Sequence, residues 1–179
     1  LKPFRLFLDV AAQMNAKIVN FSKIAQDVDA DTKSVQNYFE ILKETHVGIL
    51  LNSHDYSLRK RQKKNPKFYY FDTGVVRSLN RRLNLPLKRG TFEYGDLFEQ
   101  FIILEMYRLN SYFSLDYQFS YLQTNNALEI DVIIERPGLP MAFVEIKSSE
   151  NVVEKDLSSL HSLKRDFPRG QYFCLSNDP

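Results

Sequence analysis

The sequence is poor in the residues that mark disulfide-rich and zinc-binding proteins. It has one cysteine, Cys174, and no tryptophan among 179 residues. A single cysteine cannot form an internal disulfide or a cysteine-rich zinc site, and it favours a reducing compartment. The histidines His46, His54 and His161 lack the paired spacing of a zinc site. No apolar run approaches the roughly 20 residues of a membrane span, and no positively charged segment precedes an apolar stretch. We therefore expect a soluble, cytoplasmic protein that does not bind a membrane.

The composition is that of a globular protein. Hydrophobic residues make up 44% of the chain and charged residues 26%, and 24 Lys and Arg face 22 Asp and Glu. These values argue against intrinsic disorder and low-complexity scaffolds. The length suits one ordinary domain or two small ones. The chain begins at Leu1 and already has a helical pattern there, which predicts a fragment of a longer protein.

The first half of the chain has the pattern of a winged helix-turn-helix. The apolar spacing from Phe4 to Phe39 predicts three helices, with Ser22 and Asp31 as caps of the second and third. The apolar residues 47–51 and the aromatic residues 68–71 then predict a two-stranded ribbon. Beyond it, Asp72 has the position of a cap for one more short helix.

The second half predicts a mixed β-sheet flanked by helices. A proline, two basic residues and a glycine interrupt the pattern within residues 86–90, so we place domains at 1–85 and 86–179. The chain is thus expected to be an α/β (α+β) protein. The expected elements are a helix at 91–112, strands at 117–124, 128–135 and 141–147, a helix at 152–167 and a strand at 171–175.

Two acids and a lysine are expected to meet in this sheet. In the strand 128–135 the even positions Leu128, Ile130, Val132 and Ile134 would form one apolar face, with Asp131 on the other. Glu145 and Lys147 share a face of the next strand, and a hairpin through residues 136–140 would bring them to Asp131. Two carboxylates can bind Mg²⁺ or Mn²⁺ while leaving positions for water and phosphate, which suits phosphodiester hydrolysis. Lys147 could then orient the attacking water or neutralise charge on the phosphate.

Glu99 is a candidate fourth member of this site. It lies on the predicted helix 91–112 with an apolar stripe formed by Ile102, Ile103 and Met106. A carboxylate that is carried toward the sheet by such a stripe needs a cation or another partner.

These residues resemble the signature of the PD-(D/E)XK nuclease superfamily. That signature has an acid on the opening helix, an acid on the second strand and an acid-x-Lys triplet on the third, here Glu99, Asp131 and Glu145-Ile-Lys147. The resemblance implies that the backbone carbonyl of Ile146 is a further metal ligand.

A wider resemblance covers the whole chain. Its motifs are Asn37-Tyr-Phe-Glu-Ile-Leu42, Asn65-Pro-Lys-Phe-Tyr-Tyr-Phe-Asp-Thr-Gly74, Gly95-Asp-Leu-Phe-Glu99, Glu129-Ile-Asp131 and Val144-Glu-Ile-Lys-Ser-Ser149. The chain is similar to the C-terminal region of a family of archaeal and bacterial AAA+ ATPases, in which an ATPase module precedes a winged helix and a nuclease-like domain. The resemblance implies an upstream ATPase partner in the full-length protein. Asp96 and Leu97 stand where a phosphate-binding loop requires Lys and Ser or Thr, so we expect no ATP site here.

Two groups of residues are candidates for DNA contact. In the third helix, residues Thr32, Lys33, Gln36 and Asn37 lie near the N-terminus, where a recognition helix contacts base edges. A basic cluster falls where the wing would be, and such a cluster suits phosphate contact. Its members are Arg59, Lys60, Arg61, Lys63, Lys64 and Lys67.

The sequence leaves two other functions open. Both domains could form a non-enzymatic platform that couples an ATPase to DNA or to a protein. Alternatively, the winged helix could contact the ATPase module or another protein. Acids around its helices argue against sequence-specific reading of DNA and favour contact between the wing and phosphates. These acids are Asp27, Asp29, Asp31, Glu40 and Glu44. An oligomer is also compatible with the sequence.

Overall fold

The computed structural model describes residues 2–55, 64–124 and 128–177. The described residues fall into two compact units. The first is drawn from Leu1–Leu51 and Asn65–Leu87, and the second from Asn52–Lys64 and Lys88–Pro179. The sequence predicts a single boundary between residues 85 and 86, and it does not indicate that Asn52–Lys64 group with the second unit. The predicted boundary stays a prediction.

The first unit combines helices with a small antiparallel sheet. Its strands lie in the order β1-β3-β2, with Gly48 opposite Tyr70 and Lys17 opposite Phe68. This is the arrangement expected of a winged helix-turn-helix, except that the sheet has a third strand, β1, that the sequence pattern did not indicate. The elements are α1 (Lys2–Gln13), β1 (Lys17–Ile18), α2 (Phe21–Asp27), α3 (Thr32–Glu44), β2 (Gly48–Leu51), β3 (Lys67–Tyr70) and α4 (Thr73–Leu79).

Side-chain caps fix where these helices begin. Asp31 accepts a hydrogen bond from the Ser34 amide at α3, and Asp72 accepts one from the Val75 amide at α4, as expected. The cap of α2 is Asn20, which accepts from the Lys23 amide, so the assignment of Ser22 was wrong. Asn20 has the extended backbone that a cap needs, whereas Ser22 is already inside the helix.

The core of the first unit is aromatic. The Phe39 ring on α3 makes edge-to-face contacts with Phe7, Phe21 and Phe68, with centroid distances of 4.8, 5.7 and 4.9 Å. Phe7, Phe39 and Phe68 are fully buried. One ring therefore joins α1, α2 and α3 to the sheet.

The second unit is a four-stranded mixed sheet with helices, which confirms the α+β class. Its strands lie in the order β4-β5-β6-β7; β6 and β7 are parallel, and the other neighbours are antiparallel. The expected helix 152–167 is instead a short 3-10 helix followed by an α-helix. The elements are α5 (Phe92–Tyr112), β4 (Gln118–Gln123), β5 (Glu129–Glu135), β6 (Ala142–Lys147), the 3-10 helix (Glu154–Leu157), α6 (Ser158–Asp166) and β7 (Gln171–Ser176).

A β-bulge in β5 changes which side chains face the core. Asp131 and Val132 together stand opposite Tyr121 of β4, because the register shifts there. As a result Ile130 and Ile133, three residues apart, both join the core under α6. Strict alternation is therefore lost, and the expected single apolar face was wrong. Its proposed members were Leu128, Ile130, Val132 and Ile134.

Membrane-spanning character is absent from the part of the chain that the structure describes, since no helix there combines the required length and hydropathy.

We predict that Phe39→Ala lowers the unfolding free energy of the first unit by about 3–5 kcal/mol, because it empties the centre of the aromatic core. Ile41→Ala is the matched control, since Ile41 lies on the same helix but is 48% exposed. It should change stability by no more than about 0.5 kcal/mol. Chemical denaturation measures both, and equal losses would contradict this account of the core.

Candidate functional site

The two predicted acids meet where β5 and β6 separate. Backbone pairing between these strands ends at Val132 and Val144. Asp131 lies one residue beyond Val132 on β5, and Ile146 lies two residues beyond Val144 on β6. At this point the Ile146 amide donates a 2.7 Å hydrogen bond to Oδ2 of Asp131. The carboxylate thus takes the place of a backbone acceptor, and it fixes Asp131 beside the strand that carries Glu145.

Glu145 and Lys147 form an ion pair next to Asp131. Lys147 Nζ lies 2.6 Å from Glu145 Oε1. Glu145 is 6% exposed, and its other oxygen, Oε2, is buried without a hydrogen-bond partner among the described residues. We call Asp131, Glu145 and Lys147 the acid–lysine cluster. It holds two carboxylates against one ammonium, and one carboxylate oxygen has unused acceptor capacity.

Burial and the neighbouring charge of Asp131 raise the pKa of Glu145 to about 7, although Lys147 acts in the opposite direction. Burial alone would lower the pKa of Lys147, but its hydrogen bond to Glu145 and the nearby acids raise it. Lys147 therefore stays protonated while Glu145 can change its charge near neutral pH.

Two further acids act on the cluster that the sequence analysis did not assign to it. The charge of Glu129 adds to the rise in the pKa of Glu145, and Asp156 of the 3-10 helix contributes to that of Lys147. Glu129 lies two residues before Asp131 on the same strand, so the alternation of side chains along a strand could have predicted that Glu129 lies near the cluster. Asp156 was not predictable in this way, because its position depends on the crossover from β6 to β7.

Glu99 lies on the helix that approaches the end of β6. A side chain at Gly95 would come within 3.5 Å of Ser148 Oγ, and Asn177 Nδ2 donates to both Tyr94 Oη and the Ser148 carbonyl. These contacts hold the first turns of α5 at the end of the sheet that carries Lys147. Glu99 follows Gly95 by one turn and is half-buried. Its membership of the acid–lysine cluster stays a prediction.

The donors of the cluster fit a cation that keeps most of its ligands as water or substrate oxygen. Within the described ranges, no group of three or more His, Cys, Asp and Glu side chains is arranged as a metal site. Mg²⁺, however, is often held by one or two carboxylates, with water and phosphate completing its shell. Asp131 and the buried Oε2 of Glu145 provide such a pair, and the Ile146 carbonyl is the additional ligand that the resemblance implies.

The recognition-helix candidates are placed at the start of α3, as predicted. Lys33, Gln36 and Asn37 are exposed and Thr32 is half-buried, while Val35 on the same helix is in the core. The side chains that could contact base edges are therefore accessible, and their contact with DNA stays a prediction.

The basic cluster is only partly described. Arg59, Lys60, Arg61 and Lys63 lie outside the described residues, and Lys64 is exposed. Lys67 is 4% exposed, because it lies in the central strand β3 opposite Ile18 and Leu51. Its expected place in an exposed basic loop was wrong, since the strand begins at this residue.

Comparison with known proteins finds matches to two domain families of unknown function. Residues 1–87 match the profile of a domain of unknown function, DUF8612, and residues 94–178 match that of another, DUF4143. DUF4143 is typically found with AAA ATPase regions. That association is consistent with the ATPase resemblance of the sequence at a coarse level.

Two curated mycobacterial proteins are similar to the chain. They are uncharacterized protein Rv2008c of Mycobacterium tuberculosis and uncharacterized protein Mb2031c of Mycobacterium bovis, each 24% identical over 149 residues. The alignment covers 83% of this chain and 33% of each relative. The chain thus spans about a third of the length of these relatives. No solved structure matches it.

The raised pKa of Glu145 predicts how stability depends on pH. Without a metal the folded chain retains a proton on Glu145 up to about pH 7, whereas the unfolded chain releases it near 4.5. The contribution of Glu145 to the unfolding free energy should therefore fall as pH rises from about 4.5 to about 7. Glu145→Gln should remove this fall and be the more stable chain at about pH 8 in EDTA.

Urea unfolding across this pH range tests the prediction. Glu154→Gln, at an exposed position of the same unit, is the control and should follow the wild-type curve. The assignment fails if Glu145→Gln and the wild type show the same pH dependence.

Proposed function

We propose that the second unit is a Mg²⁺- or Mn²⁺-dependent phosphodiesterase that cleaves DNA, and that the winged helix of the first unit binds the DNA. The observation that supports this most is the burial of Asp131 and Glu145 side by side with one lysine. Two ionised carboxylates and one ammonium have a net negative charge, which is costly to bury unless a cation is added. A purely structural ion pair would need only one acid.

Each residue of the cluster has a distinct proposed role. Asp131, Glu145 and the Ile146 carbonyl would hold the cation, which when bound supplies Lewis-acid stabilisation of the phosphate. In the free chain Lys147 is paired with Glu145. A cation on Glu145 would compete for that carboxylate, so the Lys147 ammonium could turn to the attacking water or the phosphate. Glu99 would support the site from α5.

DNA binding is proposed from exposed side chains of the first unit and of the basic cluster. The start of α3 presents Lys33, Gln36 and Asn37. Lys64 of the basic cluster is also exposed, and it groups with the second unit. Amide side chains can read base edges, while lysines and arginines contact phosphates of any sequence. The upstream ATPase region proposed from the sequence would belong to the longer protein of which this chain would be a part.

A second candidate is a catalytically inactive platform that binds DNA or protein for the ATPase. It is favoured by the lack of a three-donor metal group within the part of the chain that the structure describes. The ion pair between Glu145 and Lys147 would then serve stability. The two proposals differ in whether the acid–lysine cluster is needed for folding or for chemistry.

Cleavage assays separate these functions. We predict that the wild-type chain cuts plasmid or single-stranded DNA with Mg²⁺ or Mn²⁺ and stops in EDTA. The Glu145→Ala/Lys147→Ala double variant should lose at least about 100-fold in rate, because it loses a cation ligand and the group next to the water. Lys147→Ala alone should lose activity with little change in melting temperature, since Lys147 is partly exposed.

The control for this assay is Lys155→Ala, which removes an exposed lysine from the same unit. It should cut like the wild type. Cleavage that survives in the double variant would indicate a contaminating nuclease. A folded wild-type chain that binds DNA but does not cut it would favour the platform.

Salt dependence tests the DNA-binding proposal separately. Phosphate contacts release counterions, so the affinity for duplex DNA should fall steeply between low and moderate salt. The triple variant Arg59→Ala/Arg61→Ala/Lys63→Ala should reduce the slope of log affinity against log salt by about 0.9 for each phosphate that is no longer neutralised. Fluorescence anisotropy with labelled duplexes measures this slope.

A matched triple variant removes the same charge elsewhere. Lys155→Ala/Arg165→Ala/Arg169→Ala changes three exposed basic residues of the second unit and should leave the slope near the wild-type value. A weak salt dependence that neither variant alters would instead support a protein partner for the winged helix.

A further inference from the structure

The long helix α5 has an exposed stripe that borders its buried face. Ile103 and Leu104 are packed into the second unit, at 1% and 7% exposure. Phe101, Leu109 and Tyr112 are instead 50%, 48% and 75% exposed. Their spacing of eight and three residues places all three on one side of the helix. Single exposed apolar side chains are ordinary on protein surfaces, but here three large ones are aligned on one side of a helix.

Two opposite charges lie in the middle of this stripe. Glu105 and Arg108 follow Phe101 by four and seven residues, and so lie on the same side of α5. Arg108 Nη1 and Glu105 Oε1 are 2.5 Å apart, and their side chains are 40% and 42% exposed. Along the helix the stripe therefore runs from Phe101 to an acid and a base, and then to Leu109 and Tyr112.

Apart from Leu109, whose counterpart is the buried Leu104, this order makes the stripe complementary to itself. Phe101 and Tyr112 lie equally far from the midpoint between residues 106 and 107, and so do Glu105 and Arg108. In an antiparallel pair of α5 helices, Phe101 would face Tyr112 of the partner subunit, and Glu105 would face Arg108 of the partner subunit. A parallel pair would instead bring like charges together.

We propose that a second copy of this chain docks on this stripe, with the two α5 helices antiparallel about a twofold axis. An interface about such an axis uses the same patch on both copies and must be self-complementary. The aromatic ends would supply apolar contact, while the central charges would set the direction and register. The dimer would place two acid–lysine clusters in one assembly. This inference does not depend on whether the cluster cleaves DNA.

Charge variants test the proposal through mixing. Glu105→Arg gives a stripe with two positive charges, and Arg108→Glu gives one with two negative charges. Each variant alone should self-associate about tenfold more weakly or worse, because like charges then face each other. An equimolar mixture should form heterodimers, since both central contacts become attractive. Mixing the two variants cannot restore the ion pair between residues 105 and 108 of the same helix. Recovery of the dimer on mixing therefore reports contact between chains.

Sedimentation velocity over a range of concentrations measures the association, and native mass spectrometry identifies the heterodimer. Leu139→Glu is the control, because it places a charge on another exposed leucine of the second unit and should leave the dimer intact. Phe101→Glu should weaken the dimer without changing the circular dichroism spectrum.

A wild-type chain that remains monomeric at every concentration would overturn the proposal and leave the stripe to a different partner. Dimers that form equally well in the separate variants would overturn it too, because they would use another surface.

Discussion

The hydrogen bond from the Ile146 amide to the Asp131 carboxylate is the contact on which the acid–lysine cluster depends. The backbone ladder between β5 and β6 stops just before it, at Val132 and Val144, and the bulge in β5 removes its regular alternation. Without an acceptor at this point a buried amide would be left unpaired, which costs about 1–3 kcal/mol. The same bond fixes a negative charge beside Glu145, and that charge contributes to raising the pKa of Glu145 to about 7.

The chemistry proposed for the cluster follows from this crowding of acids. Lys147 neutralises one carboxylate, while Asp131 and Glu145 together bring two, and Glu129 and Asp156 add further negative potential. In metal-free protein the imbalance is relieved by a proton on Glu145. A divalent cation would relieve it more fully, because it could use the buried Oε2 that has no hydrogen-bond donor among the described residues. In the proposed function, a bound cation would thus displace the proton of Glu145.

The sequence predicted most elements and the neighbours within the cluster, because helix spacing, caps and the E-x-K triplet are local signals. It assigned the helix ends at Asp31 and Asp72 correctly, but not the cap at Asn20. It could not predict the bulge at Asp131, which depends on how β4 pairs with β5, and so it expected the wrong apolar face. The burial of Lys67 was missed for a similar reason, since its place in the central strand is set by partners distant in sequence.

The most direct test of the central claim is a nuclear magnetic resonance titration of the Glu145 side-chain carboxyl carbon, assigned with Glu145→Gln. In EDTA the account predicts a midpoint near pH 7, in keeping with the raised pKa of Glu145. Saturating Mg²⁺ should move that midpoint well below its metal-free value, because a bound cation favours the ionised carboxylate. A midpoint near the ordinary value of 4.5 without metal, or one that Mg²⁺ does not move, would contradict the account.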